Sequence, residues 1–240
     1  MAVYETRLLR RETVAERTIA FYFEKPAGFD HRAGQNAVVT LVDPPETDSL
    51  GSSRTFTIAS APHESELMFA TRMRDTAFKR ALKSAAPGTP VRIDGPGGVM
   101  VLHADAARPA VFLAGGIGVT PFLSMERDAA KNRLPHRIAL FYSNRRPEDA
   151  AFLDELRTLE RNNPNFRLVA TMSQAEKSSH AWKGETGLIR PEMLKRYQIN
   201  LDTSVFYCAG PHGMTMSMEL MLDALGVNEN DMLSEEFYGY

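Results

Sequence analysis

The sequence has one cysteine among its 240 residues, and this scarcity excludes several kinds of site. Cys208 alone cannot form an internal disulfide, a four-thiolate zinc site or a protein-ligated iron–sulfur cluster. The six histidines show no metal-ligand spacing such as H-x-x-x-H. We therefore expect no metal site.

Charge of one sign and long apolar runs are also lacking. The formal net charge is −2, which gives no electrostatic footprint for nucleic acid or an anionic membrane. The N-terminal stretch MAVYETRLLRRE has no apolar core for a signal peptide. The longest apolar stretch, AVFLAGGIGVTPFL, is too short and too rich in glycine to span a bilayer. We expect no nucleic-acid partner, no membrane insertion and a cytoplasmic location.

Residues 1–104 have the pattern of short strands joined at glycine and proline. Strand-like segments such as TIAFYFE, AVVTLV and ELMFATRM are separated by turn residues, and TAFKRALKSA has a helical apolar face. This spacing is typical of a small antiparallel barrel. We predict an antiparallel six-stranded β-barrel.

From residue 108 onward, strands and helices alternate. PAVFLAGG is a continuous apolar run, as expected of a buried parallel strand, and TPFLSMERDAAKN follows as a helix. The alternation continues through VFYCAGP and MTMSMELMLDALG. It predicts an α/β doubly wound parallel sheet over residues 108–240, with the domain boundary at residues 102–109.

A glycine loop follows the first strand of this second domain. Gly116 and Gly118 are followed by Pro121 where the nucleotide-binding fingerprint G-x-G-x-x-G has its last glycine. Proline suits the first turn of a helix, and Thr120 could cap that helix. Glycines let backbone amides approach a phosphate at the helix start. A purely structural tight turn is the alternative interpretation.

The next strand ends in YSNRRPED, where a classical NAD site would have an acidic side chain for the ribose hydroxyl. Ser143 and Arg145 offer hydroxyl and guanidinium donors instead, which suit a 2′-phosphate. The pattern favours NADP(H) over NAD(H). A solvated loop leading into a helix is the alternative.

The stretch RTFT, at residues 54–57, places an arginine, an aromatic ring and hydroxyls at the start of an apolar strand, and Arg54 and Phe56 share one face. Taken with GGIGVTPF at 115–122, CAGPHGM at 208–214 and the tail EEFYGY, it resembles the ferredoxin–NADP reductase family of flavoproteins over the whole chain. The resemblance implies an FAD-binding barrel over 1–104 and an NAD(P)-binding domain over 108–240.

The resemblance also implies roles for individual residues. Arg54 would bind the flavin phosphates, Phe56 would stack on the isoalloxazine in place of the usual tyrosine, and Thr57 would face its N5 atom. Further cofactor-binding residues would be Arg72, Met73, Thr76, Ala77, Gly115, Gly116, Gly118, Thr120, Pro121, Ser143, Arg145, Gly210, Pro211 and Phe237.

Two motifs depart from the family pattern. Asp75, Thr76, Ala77 and Phe78 stand where many relatives have Gly-x-x-Ser; Asp75 suits an N-cap, and the amides of Thr76 and Ala77 could bind phosphate. Ala209, not Cys208, directly precedes Gly210-Pro211, and a one-residue slip reverses the strand face. We therefore expect Cys208 to be a buried core thiol.

The tail SEEFYGY matches the family's carboxylate two residues before an aromatic ring. Glu235 would be this carboxylate, with Thr57 as the second catalytic residue, and Glu236 is the competing assignment. Apolar and aromatic side chains, including those of Tyr238 and Tyr240, indicate that the tail is packed.

These features predict an NAD(P)H-dependent flavoprotein reductase that binds FAD. Hydride would pass from the nicotinamide to flavin, and electrons would leave to a separate acceptor, such as a ferredoxin- or flavodoxin-like protein or a small molecule. We expect no fused ferredoxin or haem domain in this chain. Two alternatives stay open: a non-catalytic flavin- or nucleotide-binding subunit of a larger complex, and a reductase that uses free flavin as substrate.

Overall fold

The N-terminal half forms an antiparallel sheet. The computed structural model describes residues 2–237, and in this range the sheet has six strands in the order β4-β3-β6-β1-β2-β5. The strands are β1 (Ala2–Ala15), β2 (Thr18–Glu24), β3 (Asn36–Leu41), β4 (Ser53–Thr57), β5 (Glu66–Arg72) and β6 (Pro90–Gly97), and helix α1 (Ala77–Ser84) follows β5.

Alternation of side chains in these strands builds the first core. In β2, Phe21 and Phe23 are buried and pack with Val39 of β3 and Ile93 of β6. Rings from the two edge strands also approach each other, since the centroids of Phe56 in β4 and Phe69 in β5 are 6.4 Å apart. The sheet therefore curls around its apolar face, as the barrel prediction requires.

The C-terminal half is a parallel sheet with helices. Among the described residues its strand order is β10-β9-β8-β7-β11-β12. The strands are β7 (Ala110–Gly115), β8 (Ile138–Asn144), β9 (Phe166–Met172), β10 (Glu185–Thr186), β11 (Val205–Pro211) and β12 (Met232–Phe237). The helices are α2 (Thr120–Asn132), α3 (Leu153–Asn162), α4 (Pro191–Arg196) and α5 (His212–Ala224).

Both faces of this sheet are covered. All six residues of β7 are buried, and alternate side chains belong to different cores. Phe112 packs on the face that α2 and α3 cover, and Leu113 packs on the face that α4 and α5 cover. The predicted fold, an antiparallel barrel followed by a doubly wound α/β sheet, is confirmed. The domain limits 1–104 and 108–240 stay predictions.

The sequence pattern missed three strands, β1, the two-residue β10 and β12, and misplaced one helix start. β1 is mostly exposed and carries RLLRRE, so it lacks the alternation that predicts a strand. β12 was seen only as a packed tail. The segment after Arg146 forms a 3-10 turn over residues 147–149, and α3 begins only after Phe152, whose φ of 59° interrupts the helix.

Polar contacts join the two halves at several positions. Ser124 of α2 donates to the Ser60 carbonyl at 2.7 Å, and Arg146 after β8 contacts Glu16, in the β1–β2 turn, at 2.7 Å. Asn36 at the start of β3 donates to Glu235 of β12 at 2.9 Å. Each of these three bonds joins a residue of the first half to one of the second.

Over residues 2–237, no helix has the length and apolar character needed to cross a membrane.

Candidate functional site

The strand order reverses beside β7, and a cleft opens there. From β7 the chain moves to β8 and β9 on one side, then returns to β11 on the other. Ligands of such sheets bind outside the carboxyl ends of the strands at this switch point. Gly115 ends β7, Ser143 lies near the end of β8 and Pro211 ends β11, and all three line a cleft of about 880 Å³.

The first half of the molecule supplies the opposite wall of this cleft. Arg17 comes from the β1–β2 turn, and residues 72–76 come from the end of β5 and the start of α1. The cleft thus brings together eight of the predicted cofactor residues, namely Arg72, Met73, Thr76, Gly115, Gly116, Ser143, Arg145 and Pro211.

The glycine loop has a different local structure from the one predicted. Gly116–Val119 is a 3-10 turn, and α2 starts at Thr120 with Pro121 in its first turn. Thr120 does not cap this helix; its hydroxyl is buried and donates to the Ile117 carbonyl at 3.0 Å, because the 3-10 turn brings that carbonyl within reach.

Two glycines of this loop have distinct steric roles. A Cβ on Gly118 would clash with the Ala209 carbonyl, so this glycine lets the loop pack against β11. Gly116 has a φ of +53° and open space around its missing side chain. Its backbone therefore faces the cleft without steric cover.

Consecutive arginines after β8 differ in their contacts. Arg146 binds Asp149 at 3.0 Å and Glu16 at 2.7 Å. Arg145 is exposed, and its guanidinium has no ion pair or hydrogen bond with any residue between 2 and 237. Asn144 is buried at the cleft wall, and its Nδ2 lacks a hydrogen-bond partner among the described residues. Arg145 is therefore a donor available to a ligand here, whereas the Asn144 amide is covered.

Arg54 does not line this cleft. Its Nη2 contacts both carboxylate oxygens of Asp48, at 2.6 and 2.9 Å, and its Nη1 donates to the carbonyls of Leu50, Gly51 and Ser53. This pairing holds the pKa of Asp48 below its usual value. The guanidinium predicted to bind phosphate thus binds a carboxylate of its own loop.

Phe56 and Thr57 are also outside the cleft lining. Phe56 packs on Phe78 of α1, with ring centroids 5.8 Å apart, and the Arg54 guanidinium lies 5.1 Å from the same Phe78 ring. Arg54 and Phe56 therefore share one face of β4, as predicted from the alternation. Thr57 is buried, and its hydroxyl has no hydrogen-bond partner in the described part of the chain.

The start of α1 corrects one prediction. Thr76, not Asp75, is the N-cap, because its hydroxyl accepts from the Lys79 amide at 3.3 Å, whereas Asp75 binds Arg80. The Thr76 amide donates to the Arg74 carbonyl at 3.0 Å. Of the two amides predicted to bind phosphate, Thr76 is therefore already engaged, and Ala77 remains.

The two glutamates of the tail have different surroundings. Glu235 pairs in register with Ala209 of β11 and accepts a hydrogen bond from Asn36. Burial raises the pKa of Glu235, and the Asn36 bond partly offsets this. Glu236 Oε1 lies 2.8 Å from Nδ1 of His212, the first residue of α5. Phe237 lies beside Pro211, while Tyr238 and Tyr240 are outside the described residues.

Cys208 lies in the core between the sheet and the helices α4 and α5. It is fully buried, and burial raises the pKa of its thiol to about 12. Ala209 belongs to the core on the opposite face. The thiol therefore stays protonated and unreactive near neutral pH.

Sequence reasoning missed Asn36 and did not assign Asn144. Asn36 is a single polar residue before the run AVVTLV, and its partner Glu235 is 199 positions away. Asn144 lies within YSNRR, and its position at the end of a buried strand was the one available signal.

Comparisons with known proteins agree with this arrangement. Residues 112–219 match a family model described as the oxidoreductase NAD-binding domain. Ferredoxin–NADP reductase B of Sorangium cellulosum is 28% identical over 98% of this chain and 97% of its own length. The resemblance to ferredoxin–NADP reductases that the sequence indicated is confirmed over nearly the whole chain. The predicted enzyme class, an NAD(P)H-dependent flavoprotein reductase, is confirmed.

Other similar reductases are longer or more distant. The glycine betaine monooxygenase reductase subunit of Chromohalobacter salexigens is 26% identical over 95% of this chain, which spans only 61% of that relative. A ferredoxin–NADP reductase from Neisseria gonorrhoeae, solved with bound FAD and NADP, has a TM-score of 0.81 at 20% identity, covering 98% of both chains. This second likeness shows the fold.

Proposed function

We propose that this protein is an FAD-dependent oxidoreductase that takes hydride from NADPH and passes electrons to a separate acceptor protein. One observation carries the proposal: a single cleft is lined by Arg72, Met73 and Thr76 from the first half and by Gly115, Ser143 and Pro211 from the second. Two rings that exchange hydride have to meet face to face, and a cleft with one wall from each half can hold one ring on each side.

The described residues fit a flavin in part. FAD, when bound, supplies the ring that accepts hydride from the nicotinamide. In favour of a fit, Thr57 has a buried hydroxyl free to donate or accept, and the Gly116 backbone is open to the cleft. Arg54 fits only if phosphate displaces Asp48 from its guanidinium. Arg72 and Met73 would flank the ring through their backbone.

The chain's own groups would then orient the nicotinamide and manage a proton. Gly116 leaves room for close backbone approach, Gly115 and Pro211 would border the nicotinamide, and the Glu235 carboxyl, whose pKa burial raises, would hold or release a proton. Cys208 takes no part, since it lies in the opposite core.

NADPH rather than NADH is proposed because of the donors at the end of β8. Arg145 is a cation without a partner among residues 2–237, and Ser143 lies on the same cleft wall. A dianionic 2′-phosphate is the group that such a pair suits.

The acceptor is proposed to be a small redox protein of the ferredoxin or flavodoxin kind. Support comes from relatives that are named as reductase subunits of oxygenases or as ferredoxin–NADP reductases. The cytoplasmic location stays a prediction from composition.

The direct test is the colour and redox behaviour of the purified protein. We expect a yellow protein whose flavin, released with acid, co-chromatographs with FAD, and whose absorbance near the flavin maximum is lost when NADPH is added without air. Bound flavin that NADPH does not bleach would favour the non-catalytic subunit. FMN alone, or no flavin after reconstitution, would contradict bound FAD.

A second candidate, a reductase of free flavin, is favoured by the Arg54–Asp48 pair, because an occupied guanidinium weakens the hold on flavin phosphate. Under bound FAD, Arg54→Ala should lower flavin affinity by roughly 10- to 150-fold with unchanged circular dichroism. Asp48→Asn should raise flavin affinity, because it frees the guanidinium. A colourless wild type that reduces added riboflavin, with neither variant altering KM for riboflavin, would establish the second candidate.

A further inference from the structure

The contact between Asn36 and Glu235 joins the two halves beside the candidate site. The Asn36 amide donates to Oε1 of Glu235 at 2.9 Å, and the second oxygen, Oε2, is sealed from solvent with no hydrogen-bond partner in residues 2–237. A buried carboxylate oxygen without a partner is costly, so its presence calls for a physical reason.

A second unpartnered oxygen lies next to Asn36 on the other side. Thr57 of β4 pairs in register with Asn36 of β3, so their side chains share one face of the sheet. The Thr57 hydroxyl is buried and lacks a partner among the described residues. Asn36 therefore lies between a hydroxyl and a carboxylate, and each of these groups has an oxygen without a hydrogen-bond partner among the described residues.

The backbone around Asn36 fixes the orientation of its amide. Gly98 follows β6 with a φ of +88°, and a Cβ there would lie 2.7 Å from Asn36 Nδ2 and 3.2 Å from Cγ. The missing side chain lets the turn close directly against the amide, which leaves Asn36 little freedom to rotate away from Glu235.

We propose that Asn36 is a positioning residue of the reductase site, holding the Glu235 carboxyl across the domain boundary and beside the Thr57 hydroxyl. Nothing in the family resemblance assigned Asn36 a role. This inference rests on the proposed function, because a positioning residue needs a reaction to position for. Loss of the Asn36 amide should therefore alter proton handling by Glu235 and leave coenzyme binding intact.

The raised pKa of Glu235 does not come from neighbouring charged groups. On the packed elements, Cys208 lies in the opposite core, His212 of α5 binds Glu236, and Asp94 lies on β6. The pKa of Glu235 is raised by burial and lowered by the Asn36 bond. Removing that bond should raise the pKa further, since the amide N–H stabilises the charged form.

The first experiment measures the pH titration of the Glu235 carboxyl without any enzymatic reaction. In flavin-free protein labelled with ¹³C at the glutamate carboxyl carbon, the Glu235 resonance is assigned with Glu235→Gln and titrated with pH. We expect its midpoint to move to higher pH in Asn36→Ala. It should move furthest in the nearly isosteric Asn36→Asp, which places a second carboxyl beside it. Asn132→Ala, the same change at an exposed position of α2, should leave the midpoint in place.

Kinetics of the loaded enzyme then test the positioning role. Asn36→Ala should lower kcat by roughly 10- to 100-fold and move its pH profile in the direction of the Glu235 titration, with KM for NADPH unchanged. A midpoint that does not move, or one that moves without any change in kcat, overturns the inference. A wild type that does not oxidise NADPH contradicts the proposed function instead, so the two failures are distinguishable.

Discussion

At the scale of single residues, adjacent arginines after β8 have opposite roles. Arg146 is held by Glu16 and Asp149, whereas Arg145 extends from the cleft wall without a partner among residues 2–237. From the sequence alone these two adjacent arginines cannot be told apart. The difference arises because side chains of neighbouring residues point in different directions, and only the fold decides which one meets an acid.

Arg145→Ala should therefore weaken NADPH selectively. We expect KM for NADPH to rise by about 5- to 150-fold, with kcat and the NADH constants nearly unchanged, because the 2′-phosphate lies far from the reacting carbon. Steady-state kinetics with both coenzymes measure this. Arg161→Ala on α3 is the matched control.

Arg190 is the competing cation for the same phosphate. It is exposed in a neighbouring groove that also contains Ser143. If Arg190→Ala raised KM for NADPH and Arg145→Ala did not, the phosphate would belong to that groove. A wild-type preference for NADH would contradict the NADPH assignment as a whole.

At the scale of elements, helix α2 contains a fully buried acid, Glu126, away from the cleft. Asn163, just after α3, donates to its Oε1 at 2.8 Å, and Oε2 has no partner among the residues described. Burial raises the pKa of Glu126 to about 8. The folded protein therefore keeps this carboxyl protonated at pH values where the unfolded chain has lost the proton.

Because of Glu126, the free energy of unfolding should decrease as the pH rises. The stability that the protonated Glu126 carboxyl contributes is fully present below the pKa of the unfolded chain, near 4.5. It is lost as the pH rises through the folded pKa of about 8, and above that pH the free energy of unfolding no longer changes because of Glu126. Between pH 5 and 8 the free energy of unfolding of wild type should fall by about 1.4 kcal/mol per pH unit relative to that of Glu126→Gln, which has no proton to lose at this position. Denaturant unfolding at four pH values measures the slope.

The exposed Glu176→Gln provides the control for Glu126→Gln, since it makes the same change in solvent. Parallel stability curves for wild type and Glu126→Gln would show that Glu126 is already ionised in the folded state.

Elements differ in how far the sequence predicts them. α2 was predicted with the bounds that it has, because TPFLSMERDAAKN has an apolar face and a proline in its first turn. β1 was missed because most of its side chains are exposed. Arg54 was assigned to a phosphate because a motif shows residue types and not the Asp48 loop that folds back on it. Local pattern is readable, whereas partners set by loop conformation are not.

At the scale of the whole molecule, the two sheets are held together on both sides of the cleft. Arg146 contacts Glu16 and Asp149, and the Glu16 amide donates to the Glu148 carbonyl at 2.7 Å. On the other side Ser124 binds the Ser60 carbonyl and Asn36 binds Glu235. The relative placement of the two halves therefore depends on polar bonds as well as on packing.

Arg146→Ala should loosen one of these joints. Among residues 2–237, the Asp149 side chain, which is 4% exposed, would keep only Arg72 as an ion-pair partner, at 3.6 Å. We expect the melting temperature to fall by about 2 to 4 °C, measured by circular dichroism, with Arg161→Ala unchanged. A melting temperature equal to that of wild type would show that packing alone fixes the two halves.

The bond between Asn36 and Glu235 also has a consequence for biosynthesis. The two residues are 199 positions apart, and domains fold as units, the N-terminal one first. At about 5 to 20 residues per second, the ribosome needs about 10 to 40 s to add the second partner after the first. For that interval the nascent barrel has Asn36 and Thr57 without the carboxylate. Under the proposed function, a half-made chain that held flavin would therefore lack the carboxylate that Asn36 positions.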